Sequence, residues 1–245
     1  MPRQARKKSE TGLYHLITKG NGSQILFTDR SDHLLYLSLL ERFSREFSVI
    51  VHAYCLMNNH VHLIVRDEND NLSTFMRKLD TSYSMYFNKK YERSGHLFHD
   101  RYKSEAIGTD NYLLTAFRYV LNNPQKAGIC PADKYEWNSY HFYGDSTSFV
   151  DTAIFRDEIG DWNEYEAFIA GENDDDCMEF ETEIHDDEWG LKIIQKQFGV
   201  SSGTVLQTWT WEKRNAAIRE LKEKGMTVRQ IERLTGINRG TIQKA

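Results

Sequence analysis

The chain has 245 residues, 40% hydrophobic and 27% charged, an ordinary globular composition with room for one large core and a smaller second one. Its net charge of −5 would argue against a polyanionic partner if it were evenly spread. Residues 151–188, however, hold 16 acidic residues and one basic residue, Arg156, so the remainder carries 30 Lys and Arg against 20 Asp and Glu, and local charge keeps nucleic acid open as a partner.

The start, Pro2 to Lys8, is basic, but no apolar run of signal-peptide length follows it, and no stretch approaches a membrane span. Cys55, Cys130 and Cys177 lack CxxC spacing and suit a reducing compartment, with Cys55 expected in the core. The expected location is the cytoplasm, with no membrane partner.

In chain order, residues 13–19 read as a short strand closed by Gly20-Asn21-Gly22. Asp29 or Ser31 can cap a helix running to about Phe47. Residues 49–66 then read as two strands of β-branched and apolar residues around an Asn58-Asn59 turn. Side chains alternate along a strand, so His60, His62 and Ile64 share one face and Val61, Leu63 and Val65 the other. The apolar face can be buried; the opposite one presents two adjacent imidazoles, a ready pair of metal ligands. A bare His-x-His is more often two histidines on an exposed strand, and the motifs further along the chain change that balance.

A second helix spans residues 72–91, with Leu72, Phe75, Met76, Leu79, Tyr83, Tyr86 and Phe87 at helical spacing. Residues 96–107 read as a strand or loop-strand carrying Arg101 and Lys103. A third helix starts near Thr109 or Asp110 and is expected to end at Asn123, because Pro124 disfavours helical geometry at the residue before it. On it Leu113, Ala116, Phe117 and Val120 form an apolar stripe, while Tyr112, Thr115, Tyr119 and Asn123 form a polar one. A tyrosine on the polar stripe is not needed for the core and is available for chemistry, whereas Tyr83 and Tyr86 read as packing residues. The order β-α-β-β-α-β-α predicts an α+β fold, a ferredoxin-like or RRM-like palm in which an antiparallel sheet carries helices on one side. We expect this domain to span 1–150, an acidic connector of partial order 151–188, and a C-terminal all-helical domain 189–245. In the last, Thr227 and Asn238 as caps around a Gly236 turn give helix-turn-helix grammar, and residues 213–245 hold nine basic and three acidic residues.

Three segments carry a resemblance. His60-Val61-His62, then Gly95-His96-Leu97-Phe98 with Arg101-Tyr102-Lys103-Ser104, then the run from Tyr119 through Asn122-Asn123-Pro124-Gln125-Lys126-Ala127-Gly128 closely resemble the single-tyrosine HUH transposases, the nearest branch being the REP-associated tyrosine transposases. The resemblance covers about residues 12–143. Asn58 stands where relatives usually have proline, which alters the turn and keeps both histidines. Phe198-Gly199-Val200 and the segment beyond it are similar, over short motifs only, to the C-terminal DNA-binding domain of the replication initiator DnaA.

The resemblance implies a metal-dependent single-stranded DNA endonuclease and strand transferase, acting at hairpin-associated repeats in a bacterial nucleoid. Tyr119 would be the nucleophile, forming a 5′-phosphotyrosine, and His60, His62 and Asn123 would hold Mg2+ or Mn2+. Arg77, Arg93, Arg101 and Lys103, with Lys78, Lys89 and Lys90 near them, would suit contacts to single-stranded DNA, the alternative being a solvated helix face, which for Lys89 and Lys90 weighs about equally. Arg229, Arg233 and Arg239 would contact duplex DNA. Two alternatives stay open: a domesticated, non-cleaving DNA-binding regulator, and a relaxase or replication-initiator relative, against which the lack of a second-tyrosine or helicase-like region argues. The sequence leaves monomer and homodimer open.

Overall fold

The computed structural model describes residues 8–171, 177–178 and 187–245; most of the basic start and the acidic run 172–176 lie outside the described residues. The chain divides into two compact units, Met1–Phe180 and Glu181–Ala245. The first contains β1 (Leu13–Lys19), α1 (Arg30–Phe47), β2 (Ile50–Met57), β3 (His60–Arg66), α2 (Leu72–Lys90), β4 (Lys103–Ala106), α3 (Asp110–Leu121), α4 (Asn123–Lys126), α5 (Ala153–Ile159) and α6 (Trp162–Ala170). The four strands pair antiparallel in the order β2-β3-β1-β4, the ferredoxin-like arrangement expected from the order of elements.

Local chemistry sets the ends of these elements. Asp29 caps α1, accepting from the Asp32 backbone N–H, and Asp32 answers at the Asp29 N–H, closing a capping box. Thr109 caps α3 by accepting from Tyr112 N–H. At the end of β1, the Gly20 N–H donates to the Asn59 carbonyl at 2.8 Å, tying this strand to the turn before His60. A side chain at Gly20 would meet the Gln24 carbonyl oxygen at 2.1 Å, so this turn admits only glycine.

Strand alternation divides the interior in two. Leu16, Tyr54, Leu56, Val61, Leu63 and Val65 face α1 and α2 and meet Tyr36, Leu40, Phe75 and Tyr83. Leu13, Ala53, Cys55, Met57 and Ile64 face the other way, toward Leu113, Ala116, Phe117 and Val120 of α3. The helices between the strands, α1 and α2, thus lie on one side as predicted, and α3 covers the second face. The apolar stripe of α3 requires this, since on the first face the space is already filled.

Three boundaries differ from expectation. Only 103–106 of the segment 96–107 is a strand; Leu97 and Phe98 turn inward to the core instead. Pro124 does not stop the helical path, because α3 ends at Leu121 and Pro124 falls in the first turn of α4, where its missing N–H costs nothing. The stretch 151–171 is not a connector. Phe155 stacks on Phe117 at 3.7 Å between ring centroids, and Tyr165 stacks on Tyr143 at 4.0 Å. Fully burying each such ring contributes roughly 1.5–3 kcal/mol, enough for a few apolar anchors to hold a strongly acidic segment.

The second unit contains α7 (Asp187–Phe198), α8 (Trp211–Glu223), α9 (Val228–Thr235) and α10 (Arg239–Lys244) around Ile194, Leu206, Ile218, Leu221, Ile231, Ile237 and Ile242. Thr227 and Asn238 cap α9 and α10 as predicted, and Gly236 between them takes φ +68°, a left-handed conformation that favours glycine. Among the described residues no helix is long and apolar enough to cross a membrane.

Candidate active site

The hairpin between β2 and β3 places His60 directly after its two-residue turn, paired with Met57. Alternation sends His60 and His62 to the α3 face, as predicted. There they do not stand on an open strand surface: α3 and α4 close over them, leaving a pocket of about 280 Å³ lined by Lys19, Asn59, His60, His62, Tyr119, Asn123, Lys126 and Ala127. Tyr119 and all three residues expected to hold metal therefore share one small space.

Tyr119 is 2% exposed, not on a solvated stripe as its polar neighbours suggested. Its ring meets the rings of His15 and His62 edge-on, with centroids 5.9 and 5.7 Å away. The Lys126 ammonium lies 4.4 Å from the Tyr119 ring centroid. Asn123, four residues on, keeps the same outlook despite the break between α3 and α4, and its Oδ1 lies 3.2 Å from Nε2 of His60. Asn122 points elsewhere, donating to the Ile169 carbonyl at 2.8 Å.

The histidines are wired differently. Nδ1 of His60 lies 2.7 Å from Oδ1 of Asn59, so this ring has an amide oxygen at each nitrogen. A neutral imidazole carries one N–H and can satisfy one of them. With the proton on Nδ1 toward Asn59, the Nε2 lone pair and Asn123 Oδ1 face each other across 3.2 Å. That gap is close to the edge of a coordination octahedron, about 3 Å for bonds of about 2.1 Å. His62 is fully buried, and its Nδ1 lies 3.1 Å from Nε2 of His15. Burial, then the neighbouring His15 and His60, hold His62 below the usual histidine range; burial alone lowers His15 to about 4. Neutral rings are the form that can ligate a metal.

Among the described residues no three His, Cys, Asp or Glu side chains are grouped to hold a metal, so a site here must use an amide. Two neutral imidazoles, one amide oxygen and open pocket volume fit a divalent ion that keeps water or phosphate in its remaining positions.

The predicted DNA contacts fall in several places. Arg77 and Arg101 line a groove of about 780 Å³ between α2 and the loop 95–102, on the α1/α2 side of the sheet. Lys103 is exposed and paired in register with Ile17, and burial together with Lys103 lowers the Lys19 ammonium's pKa. Arg93 is exposed and donates to Gln24 Oε1 at 2.6 Å. Lys90 is not a candidate DNA contact: its ammonium bridges Asp29 at 2.6 Å and Asp32 at 2.7 Å. In the second unit Arg229 and Arg239 are exposed, and Arg233 pairs with Asp187 at 2.5 Å. Sequence reasoning passed over Lys19, Asn59 and His15 as site residues, and gave Lys126 no role although it stands inside the third motif.

The ferredoxin-like palm carries a histidine pair on β3 and a tyrosine on the covering helix α3. Residues 8–123 match the sequence profile of the family described as IS200-like transposase. No curated protein matches the chain. Among solved structures, a REP-associated tyrosine transposase bound to a REP hairpin is similar at 15% identity and TM-score 0.52, covering 62% of this chain and 94% of that one. A candidate transposase from Deinococcus radiodurans R1 is similar at 16% identity and TM-score 0.35, covering 49% of this chain and 96% of that one.

Proposed function

We propose that this protein cleaves and rejoins single-stranded DNA beside hairpins through a covalent 5′-phosphotyrosine at Tyr119. The observation that carries the reading is the pocket in which Tyr119, His60, His62, Asn123 and Lys126 meet. A divalent ion held by His60, His62 and Asn123, Mn2+ or Mg2+, would supply Lewis-acid polarisation of the scissile phosphate. Tyr119 Oη attacks phosphorus, the bond to the 3′ oxygen breaks, and that oxygen leaves as a 3′-hydroxyl after taking a proton. A second 3′-hydroxyl attacking the phosphotyrosine reverses these steps and joins strands, without any high-energy cofactor. A phenol with an ordinary pKa near 10 is a weak nucleophile at neutral pH. Lys126 over the Tyr119 ring, with Lys19 in the same pocket, would meet the negative charge that develops on the phosphate.

Arg77, Arg101 and Lys103 would track the single strand. Exposed Arg229 and Arg239, flanking the capped turn at Gly236, would hold duplex DNA in the second unit. Arg233, already paired with Asp187, would contribute less.

The test is cleavage of a hairpin-flanked oligonucleotide with Mn2+. Tyr119→Phe should fold and bind the strand yet form no protein–DNA adduct, while Tyr83→Phe, whose hydroxyl donates to the Leu26 carbonyl within the core, should still form it. An adduct that survives Tyr119→Phe would overturn the assignment.

A further inference from the structure

We propose that His15 is a positioning residue of the metal site, accepting the Nδ1–H of His62 so that Nε2 of His62 presents its lone pair to the pocket. The proposal rests on the metal-site reading above and adds to it a residue that touches neither metal nor DNA. His15 and His62 stand on adjacent strands, β1 and β3, with both side chains on the α3 face. Their rings are inclined by only 20°, and their centroids are 5.3 Å apart. The linking nitrogens are 3.1 Å apart. Adding about 1.1 Å from each ring centre to its nitrogen recovers nearly the whole centroid separation, so centres and nitrogens lie almost in line. The two rings therefore meet edge to edge in nearly one plane, the geometry of a hydrogen bond and not of a face-to-face stack.

One proton occupies that bond, and it can sit on either ring. If His15 Nε2 carried it, His62 Nδ1 would accept, and the hydrogen of His62 would move to Nε2, leaving no lone pair for a metal. If His62 Nδ1 carries it, Nε2 is the lone pair. The unpartnered Nδ1 of His15 does not separate these cases, since it has no acceptor in one and no donor in the other. The surroundings of His62 do. His62 lines the pocket with Lys19 and Lys126 and His15 does not, so with Nδ1 committed to His15, Nε2 is the nitrogen of His62 left for that pocket. A lone pair facing cations is favoured over an N–H facing them, with or without a metal. A ring bond that fixes the tautomer of a ligating histidine is the usual supporting arrangement around a metal. Here a second histidine takes the place of the usual carboxylate or carbonyl.

The experiment reads the tautomer directly. Long-range ¹H–¹⁵N correlation spectra of the metal-free full chain should show His62 protonated on Nδ1. In parallel, Mn2+ binding is titrated by electron paramagnetic resonance in the unsubstituted protein, His15→Gln and His15→Leu. Glutamine can place its amide oxygen where Nε2 of His15 stands, so His15→Gln should keep the tautomer and bind Mn2+ within about threefold of the unsubstituted chain. Leucine offers no acceptor, so His15→Leu should show the other or a mixed tautomer and weaken Mn2+ binding by about 10–100-fold, the usual scale for losing such a partner. Nε2–H on His62 in the unsubstituted protein would overturn the proposal, as would equal Mn2+ affinity in all three proteins. The spectrum decides even if His15→Leu fails to fold. Failure of the unsubstituted protein to bind Mn2+ would instead remove the metal-site reading beneath the proposal, and the tautomer spectrum keeps that failure distinct.

Discussion

The two sides of the sheet each bury a polar cluster, and the clusters are built on opposite principles. On the α1/α2 side Asp32 accepts five hydrogen bonds: from the backbone of Thr28 and Asp29, from the Tyr86 and Tyr91 hydroxyls, and from the Lys90 ammonium. Every donor there is native to the chain, and a saturated buried network of this kind ties two helices together. On the α3 side ring nitrogens meet amide oxygens and each other: an amide oxygen lies at each nitrogen of His60, and His15 and His62 share one nitrogen–nitrogen contact. The first cluster is complete within itself and structural; the second opens on a pocket shared with Lys19 and Lys126 and can take in a ligand.

Crossed substitutions can break that contrast. The largest effect is expected from His60→Ala or His62→Ala, which should lower Mn2+-dependent cleavage by about 10²–10³-fold, the scale of losing one preorganised electrostatic contact. Thermal unfolding should change little for half-buried His60→Ala, while His62→Ala also leaves a buried cavity and an unpaired His15 nitrogen. Chelator should mimic both variants, and undiminished cleavage in chelator would remove the metal from the mechanism. Asp32→Ala should do the reverse, costing about 3 kcal/mol in denaturant unfolding by stranding its donors, with Mn2+ affinity unchanged. A loss of Mn2+ affinity there would show that the two clusters are not independent.

The pH dependence of stability separates the sides further. Burial lowers His15 to about 4, so the folded state binds fewer protons than the unfolded chain between there and the ordinary histidine range. Its stabilising contribution is complete above about pH 6.5 and is lost as pH falls toward 4. Asp80 on α2 behaves oppositely, since burial raises its carboxyl to about 7 and the folded state holds a proton the unfolded chain releases. Stability from this group falls as pH rises from about 4 to 7. Asp80→Asn should therefore gain in thermal midpoint over the unsubstituted protein, and the gain should grow across that interval. A gain independent of pH would contradict the assignment. The smallest effect is expected at Asn123→Ala, which should raise the Mn2+ concentration for half-maximal cleavage several-fold without abolishing it, while Asn122→Ala leaves it unchanged. Equal behaviour of the two would return Asn123 to a structural role.

What the sequence made legible was whatever local rules control. Two-residue periodicity set the faces of β3, side-chain caps set the starts of α1 and α3, and the order of elements set the palm. Tyr119, His60, His62 and Asn123 could be named because they stand in motifs, and all four line one pocket. His15 could not, because it is an isolated strand histidine whose partner is 47 residues away. The burial of Tyr119 was hidden by its polar stripe, since nothing local says that a histidine pair will lie beneath it. Lys90 read as either a DNA contact or a solvated charge, and its ion pairs were hidden because its acidic partners, Asp29 and Asp32, lie at the start of a different helix. The acidic composition of 151–171 outweighed its few aromatic anchors on paper, yet those anchors, Phe155 and Tyr165, are fully buried.

The central claim is that the histidine cluster on the α3 side serves Tyr119. It is tested most directly by incubating the full chain with a hairpin-flanked single strand and Mn2+, digesting the product, and mapping the DNA-linked peptide by mass spectrometry. The account predicts one adduct, a 5′-phosphate on the peptide containing Tyr119, absent when chelator replaces Mn2+. Cleavage with no covalent peptide, or an adduct on any other tyrosine, would contradict it.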